Sequence, residues 1–210
     1  MKYDDAIEYY GSDKPDLRFD MKINNITDIF KNTDFSLFKN IISENGIINA
    51  IVVSESASKF SRKDIDKLTD FVKTYKASGL SFIKYQEEVT GSIVKNLTDK
   101  EIDSIKKQLN VKNDDLVIIM CGNKKIVKNS LGALRCKLAR DLGLINKDDY
   151  KLLWVTDFPC FEWSEEENRY VACHHPFTAP NDSDIDKLLT DKANCYSKAY
   201  DIVINGYEAG

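Results

Sequence analysis

Apolar residues recur along this chain in two rhythms, one of alternating or continuous runs and one of threes and fours, and changes between them divide it into three stretches. Residues 1–32 open with a short amphipathic segment, pass through Gly11-Ser12-Asp13-Lys14-Pro15-Asp16, and reach a strand-like run at 21–26. The Gly-Ser-Asp and Pro-Asp pairs punctuate a loop, which reads either as a structural turn or as a binding loop. Residues 33–122 alternate strand and helix signals. Runs at 35–42 and 47–54 are expected to be strands, joined by a hairpin connection over Ser43-Glu44-Asn45-Gly46. Ser61 with Asp64 predicts a helix N-terminus, followed by Ile65, Leu68, Val72 and Tyr75 on one face, with Gly79 suited to the C-terminal cap.

Two more strands are expected at 80–85 and 92–97. Thr98 and Glu101 then make a capping box, opening a helix with Ile102, Ile105 and Leu109 inward. The continuous apolar run 116–121 reads as a buried strand. Two strands, helix, two strands, helix and a further strand predict an α+β unit, with helices on one face of a largely antiparallel sheet. Residues 123–210 start with a long helix, carried by Val127, Leu131, Leu134, Leu138 and Leu142 and ended by Gly143. Strand signals follow at 152–158, 170–174 and 200–204, with an acidic turn at 165–168 and a short helix at 184–189.

The 210 residues are 42% hydrophobic and 30% charged, enough apolar surface for a core and enough charge for solubility. Thirty basic against thirty-four acidic side chains leave a net charge of −4, no electrostatic footprint for a general nucleic-acid binder. The N-terminus shows no secretory apolar region, and no apolar run approaches the ~18 residues of a membrane span. Five scattered cysteines (Cys121, Cys136, Cys160, Cys173 and Cys195) form no CxxC pair, and only two histidines are present. A zinc site is therefore not expected; buried free thiols and a cytoplasmic location are.

The stretch richest in chemistry is the last. Asn205-Gly206 between strand formers is the strongest short hairpin signal, because both central residues of a type I′ turn need positive φ. With that turn, Val203 faces Glu208, and Asp201 points to the same sheet face. The two carboxylates become diagonal neighbours ~7–8 Å apart at the backbone; one straight strand would separate them by ~23 Å. Such a pair can share a Mg²⁺ whose other ligands are water and phosphate oxygens, and it reads equally well as two exposed acids on a sheet. His174-His175-Pro176-Phe177 sets two histidines at an expected strand end, since proline extends the residue before it. Either imidazole can serve a carboxylate or simply pack against backbone. Asp157-Phe158-Pro159-Cys160-Phe161-Glu162, an apolar strand end bearing two acids, can be scaffold.

Gly11-Ser12-Asp13-Lys14-Pro15-Asp16-Leu17-Arg18-Phe19, Leu131-Gly132-Ala133-Leu134-Arg135, Trp154-Val155-Thr156-Asp157-Phe158-Pro159, His174-His175-Pro176-Phe177-Thr178 and Asn205-Gly206-Tyr207-Glu208 together resemble, in order and spacing, bacterial-type aspartyl-tRNA synthetases. Residues 33–122 resemble the GAD domain inserted in that family's catalytic domain. The resemblance implies a two-layer (DCoH-like) α+β insertion at 33–122. Its flanks, 1–32 and 123–210, would belong to a class II antiparallel sheet with helices. It implies ATP and Mg²⁺ as cofactors, L-aspartate and tRNA(Asp) as substrates, and a homodimer for the full-length enzyme. By motif position, His174 matches the histidine that contacts aspartate, Glu208 the acid that binds ATP through its metal, and Asp201 its partner acid.

The first two class II motifs, the anticodon-binding barrel and the glycine-rich strand of the third motif are not among these residues. This stretch alone is therefore expected not to aminoacylate tRNA. A free-standing GAD-type binding module, related to tRNA-dependent amidotransferases, is the alternative from another class. It leaves the His-His-Pro-Phe and Asn-Gly-Tyr-Glu stretches unexplained. A split or decayed synthetase paralogue with a regulatory role is a third.

Overall fold

A computed structural model describes residues 1–175 and 177–210; Pro176, the proline expected to extend His175, lies outside the described residues. The helices are α1 (Tyr3–Tyr10), α2 (Ser36–Ser43), α3 (Arg62–Lys73), α4 (Asp99–Gln108), α5 (Lys124–Asp141) and α6 (Lys187–Thr190). The strands are β1 (Asn24–Asn25), β2 (Ile47–Val53), β3 (Ser81–Tyr85), β4 (Val89–Gly91), β5 (Asp115–Gly122), β6 (Leu152–Thr156), β7 (Phe161–Ser164), β8 (Arg169–Ala172), β9 (Tyr200–Ile204) and β10 (Tyr207–Glu208). The chain forms two compact units, one of residues 8–12 and 19–145, the other of residues 1–7, 13–18 and 146–210.

The larger unit is built on a five-stranded antiparallel sheet of order β1-β2-β5-β3-β4. β5 explains its own continuous apolar run. Leu116, Ile118 and Met120 enter one core with Ile51 and Val53 of β2 and Phe82 of β3, while Val117 and Ile119 enter another with Ile48, Ala50 and Ile83. α3 and α5 cover the first face through Ile65, Leu68, Val72, Leu131, Leu134 and Leu138. α2 and α4 cover the second through Phe38, Ile102 and Ile105. The α+β class stands, but helices occupy both faces where one was expected, because a strand with no polar side needs both covered.

Two predicted strands are helical instead. Residues 36–43 form α2, since Phe35, Phe38 and Ile42 recur at three and four and pack on a single core. The supposed hairpin connection is that helix's C-cap. Asn45 takes φ 57° and Gly46 N–H donates to Ile41 O at 2.8 Å, a Schellman arrangement. Residues 94–96 form a 3₁₀ turn, with Ile93 and Leu97 buried four apart, and the strand of this region is the earlier β4. At the end of α3 the left-handed position falls to Lys76 (φ 68°) rather than Gly79, and Tyr75 is exposed. Both capping boxes, Ser61 with Asp64 and Thr98 with Glu101, form as read.

α5 also grips the chain's early residues. Gly132 lies where a Cβ would come within 2.7 Å of the Tyr10 and Gly11 carbonyl oxygens, so backbone meets backbone there. One turn before it, the buried Lys128 donates to Glu8 O at 2.7 Å and pairs with the Glu8 carboxylate at 2.8 Å. Asn49, its amide oriented with oxygen toward Lys128, accepts a further bond at 2.8 Å. One turn after it, Arg135 lies over the rings of Phe19 (4.3 Å) and Tyr10 (4.9 Å) and donates to Met21 O.

The smaller unit holds a three-stranded antiparallel sheet, β10-β9-β6, and the separate hairpin β7-β8 around the acidic turn at 165–168. β7 was not anticipated, and β6 and β8 stop at Thr156 and Ala172, short of the predicted ends. The predicted helix at 184–189 is a 3₁₀ turn (Asp182–Asp184) followed by α6. Ala6, Val155, Phe158 and Val203 form its core.

In the larger unit, Leu134 is fully buried in the core that α3 and α5 close, so Leu134→Ala is expected to lower unfolding free energy by about 2–5 kcal/mol. Thr98→Ala, which removes only a cap, is expected to cost about 1 kcal/mol. Urea denaturation of the two variants checks the ranking, and equal losses would contradict the assignment of α5 to the core.

Candidate functional site

The hairpin at 200–208 forms as its sequence dictates. Asn205 and Gly206 take φ 53° and 85°, and the register pairs Tyr207 with Ile204 and Glu208 with Val203. The Asn205 side chain does more than tolerate positive φ. Its Oδ1 accepts from Lys151 N–H at 2.9 Å and its Nδ2 donates to Asp149 O at 3.0 Å, tying the turn to the loop before β6. Asp201, Val203 and Glu208 share one face of the sheet, on which Val203 is wholly buried, Asp201 half-buried and Glu208, on the edge strand, exposed.

The Gly11–Asp16 stretch supplies neighbours that spacing could not reveal. Lys14 Nζ donates to Glu208 Oε2 at 2.6 Å across 194 residues of sequence. Asp16 lies beneath the turn, where a Cβ on Gly206 would sit 3.1 Å from the Asp16 Cβ. Arg18 holds Asp16 with a two-pronged contact, Nε to Oδ1 at 3.0 Å and Nη2 to Oδ2 at 2.7 Å. Burial first, then the carboxylates of Glu208 and Asp13, push the Asp201 pKa above the usual carboxylate value, while Lys14 and His174 act in the opposite direction. The bond to Glu208 raises the Lys14 pKa. Asp201 and Glu208 thus form a crowded acidic pair, partly compensated by one ammonium. No group of three or more His, Cys, Asp or Glu side chains able to hold a metal occurs among the described residues. Two carboxylates that repel each other are a suitable partial donor set for a hard divalent cation completed by other oxygens.

His174 lies beyond the end of β8, its ring edge-on to Phe158 at 5.4 Å. Its Nε2 is buried and has no hydrogen-bond partner among the described residues. With His175, Phe161 and Thr178 it lines a cavity of 320 Å³. A buried nitrogen left unbonded costs free energy unless something else meets it, so the imidazole is prepared for a polar partner in that cavity. Cys195 is buried, and Cys121, Cys136, Cys160 and Cys173 are half-buried. No described helix is long and apolar enough to cross a membrane.

Asp157 and Asp184 line a polar cavity together with Lys2, Asp4, Asn181 and Tyr196. Asp157 carries φ 57° and accepts from Asn181 Nδ2 at 3.0 Å. The buried Asp184 accepts from Tyr196 N–H at 2.9 Å and pairs with Lys187 at 2.8 Å. Tyr196 donates its hydroxyl to Asp4 at 2.6 Å, a bond that with burial pushes the phenol up to about 12. Neither Asp184 nor Tyr196 stood out in the sequence.

Residues 38–131 match the family described as GAD domain. Over an alignment 211 residues long that covers the whole chain, the sequence is 50% identical to an aspartate–tRNA ligase of Clostridium botulinum (strain Kyoto / Type A2). Over 212 residues it is 50% identical to that of Clostridium beijerinckii. In both cases the chain spans 35% of the relative's length. The similarity to aspartate–tRNA ligases therefore extends over the whole chain, well beyond the GAD segment.

The ion pair and backbone bond at Asp184 hold its pKa below the ordinary carboxylate value. A depressed folded pKa means that its stabilisation is present above the unfolded value, near 4, and is lost as pH falls through the folded one. Between pH 7 and pH 3, Asp184→Asn is expected to lose less stability than the parent, measured by urea midpoints. Parallel pH profiles would remove the anchoring role.

Proposed function

We propose that this chain is part of an ATP-dependent aspartate–tRNA ligase acting in the cytoplasm, and that Asp201, Glu208 and His174 belong to its adenylation site. The observation that carries the reading is the hairpin that sets Asp201 and Glu208 on one face of the sheet, in a chain similar to such ligases over its whole length. A free-standing GAD module would account for residues 38–131 alone.

In the longer protein, the aspartate carboxylate attacks the α-phosphate of ATP, releasing pyrophosphate and leaving aspartyl-adenylate. The aspartyl group then passes to the terminal adenosine of tRNA(Asp). No covalent enzyme intermediate is needed, so the protein contributes positioning and charge compensation. Asp201 and Glu208 would hold a Mg²⁺, which would supply compensation of phosphate charge. His174, with Nε2 buried and unbonded, meets the aspartate substrate. The full-length protein is proposed to be a homodimer. Because the chain spans 35% of its relatives' length, catalysis is assigned to the longer protein and the 210 residues alone are expected to be inactive.

Full-length Glu208→Gln is expected to lower Mg²⁺-dependent pyrophosphate exchange on the order of 10²-fold, with stability within about 0.5 kcal/mol of the parent. His174→Ala is expected to raise the KM for aspartate more than that for ATP. Gly206→Val strains a turn that requires positive φ, and should reduce activity and stability together. An unchanged rate and Mg²⁺ dependence in Glu208→Gln would remove the metal role, and aspartate-dependent exchange by the 210 residues alone would overturn their assigned inactivity.

A further inference from the structure

Cys160, Cys173 and Cys195, well separated in sequence, come into one row in the smaller unit. Pro159 and Tyr196 form an antiparallel bridge. The next pair along it is Cys160 with Cys195, joined by the bond from Cys160 N–H to Cys195 O at 2.8 Å. On the other side of the same segment, the β7–β8 register of Phe161 with Ala172 runs on to Cys160 with Cys173, and Cys173 N–H donates to Cys160 O at 3.0 Å. Residues directly opposite in an antiparallel pair project to one face with Cα atoms ~4.5–5.5 Å apart, inside the roughly 4.4–6.8 Å that a disulfide spans. The Cys195 thiol meets that of Cys160 in a hydrogen bond and leads its electrostatic neighbours, ahead of Asp184 and Cys173. Cys160 also lines the 320 Å³ cavity with His174 and Ser197, which gives a small solute access to its sulfur, whereas Cys195 is 1% exposed.

We propose that Cys160 and Cys195 are a modification site, a dithiol that a small soluble disulfide oxidises to a reversible cross-link in the wall of the His174 cavity. The Cys160 thiolate attacks one sulfur of the oxidant, RSSR, forming a mixed disulfide and expelling RS⁻. The Cys195 thiolate then attacks the Cys160 sulfur, closing the Cys160–Cys195 bond and expelling the second RS⁻. The two protons lost by the cysteines pass to the leaving thiolates, and the two electrons reduce RSSR to two RSH. Burial first, then the hydrogen bond with Cys195, push the Cys160 pKa up to about 12. The first step is therefore slow at neutral pH, and the site responds to sustained rather than brief oxidation. Once closed, the bond ties the segment entering β7 to the one that precedes β9, and so links Cys160 and Ser197 across the cavity lining. The inference stands on this register and does not require the role proposed for His174.

The test incubates the folded 210-residue chain with excess hydroxyethyl disulfide, alkylates the remaining thiols, and maps linked peptides by mass spectrometry without reduction. The Cys160–Cys195 link, a loss of two hydrogens, is expected to exceed every other pairing roughly tenfold or more and to disappear on treatment with dithiothreitol. Cys173→Ser is expected to keep the link, and Cys195→Ser to stop at an adduct of the oxidant on Cys160. The His174 imidazole resonances are expected to shift on closure and to return on reduction. A link from Cys160 to Cys173, loss of the link in a folded Cys173→Ser, or no link within the folded parent chain overturns the proposal. Unchanged His174 resonances in the linked chain overturn its placement in the cavity wall. The pairing is decided in the parent chain alone, so it does not depend on whether a serine variant folds.

Discussion

The larger unit depends on a strand with no face for water. β5 sends Leu116, Ile118 and Met120 one way and Val117 and Ile119 the other, and all five are buried. Each of its neighbours is then constrained. β2 and β3 must present apolar side chains to both sides, α3 with α5 must close one core, and α2 with α4 must close the other. Burial at roughly 25 cal/mol per Å² of apolar surface supplies the driving force, and the alternation of the strand divides it between two layers. Removing helices from either face would expose half of the central strand.

The candidate site is made differently, from a few polar constraints at chain turns. Asn205 and Gly206 fix the hairpin's register, and the register fixes which face each acid takes. Asp16 and Arg18 hold the loop beneath it. The outcome is an arrangement in which burial first, and neighbouring like charges second, raise the Asp201 pKa. Crowding of this kind is unfavourable for folding and useful for attracting a cation.

What could be read from sequence follows the range of the interaction. The capping boxes at Ser61 and Thr98, the Asn205-Gly206 turn, the buried β5 and the long α5 are set by residues within a few positions of each other, and all were legible. The run around Phe38 was not, because eight apolar-rich residues fit a buried strand as well as a short helix. Only the choice of Phe35, Phe38 and Ile42 as the inward set, made by the core, decides for helix. The site divides in the same way. Asp201 and Glu208 are related by seven positions and one turn, whereas Lys14 reaches Glu208 across 194, and no local pattern announces such a pair. Asp184 and Tyr196 escaped notice because a carboxylate or a phenol in a polar loop gives no sign of being buried.

The polar stripe on α5 has a consequence for how the larger unit can be cut out of its gene. Lys128, Gly132 and Arg135 receive residues 8–12 and 19–21, so the body of this unit is discontinuous in sequence. A clone beginning at Phe19 would keep every strand and helix of the sheet. It would nevertheless strand the Lys128 ammonium without Glu8, open the groove above Gly132 to solvent, and strip one aromatic ring from Arg135. A buried charge deprived of its partner is among the costlier single defects a protein can carry. A transplantable version of the unit therefore has to bring the short peptide 8–12 with it, by a linker or by circular permutation, or else replace Lys128 by an apolar side chain of similar length.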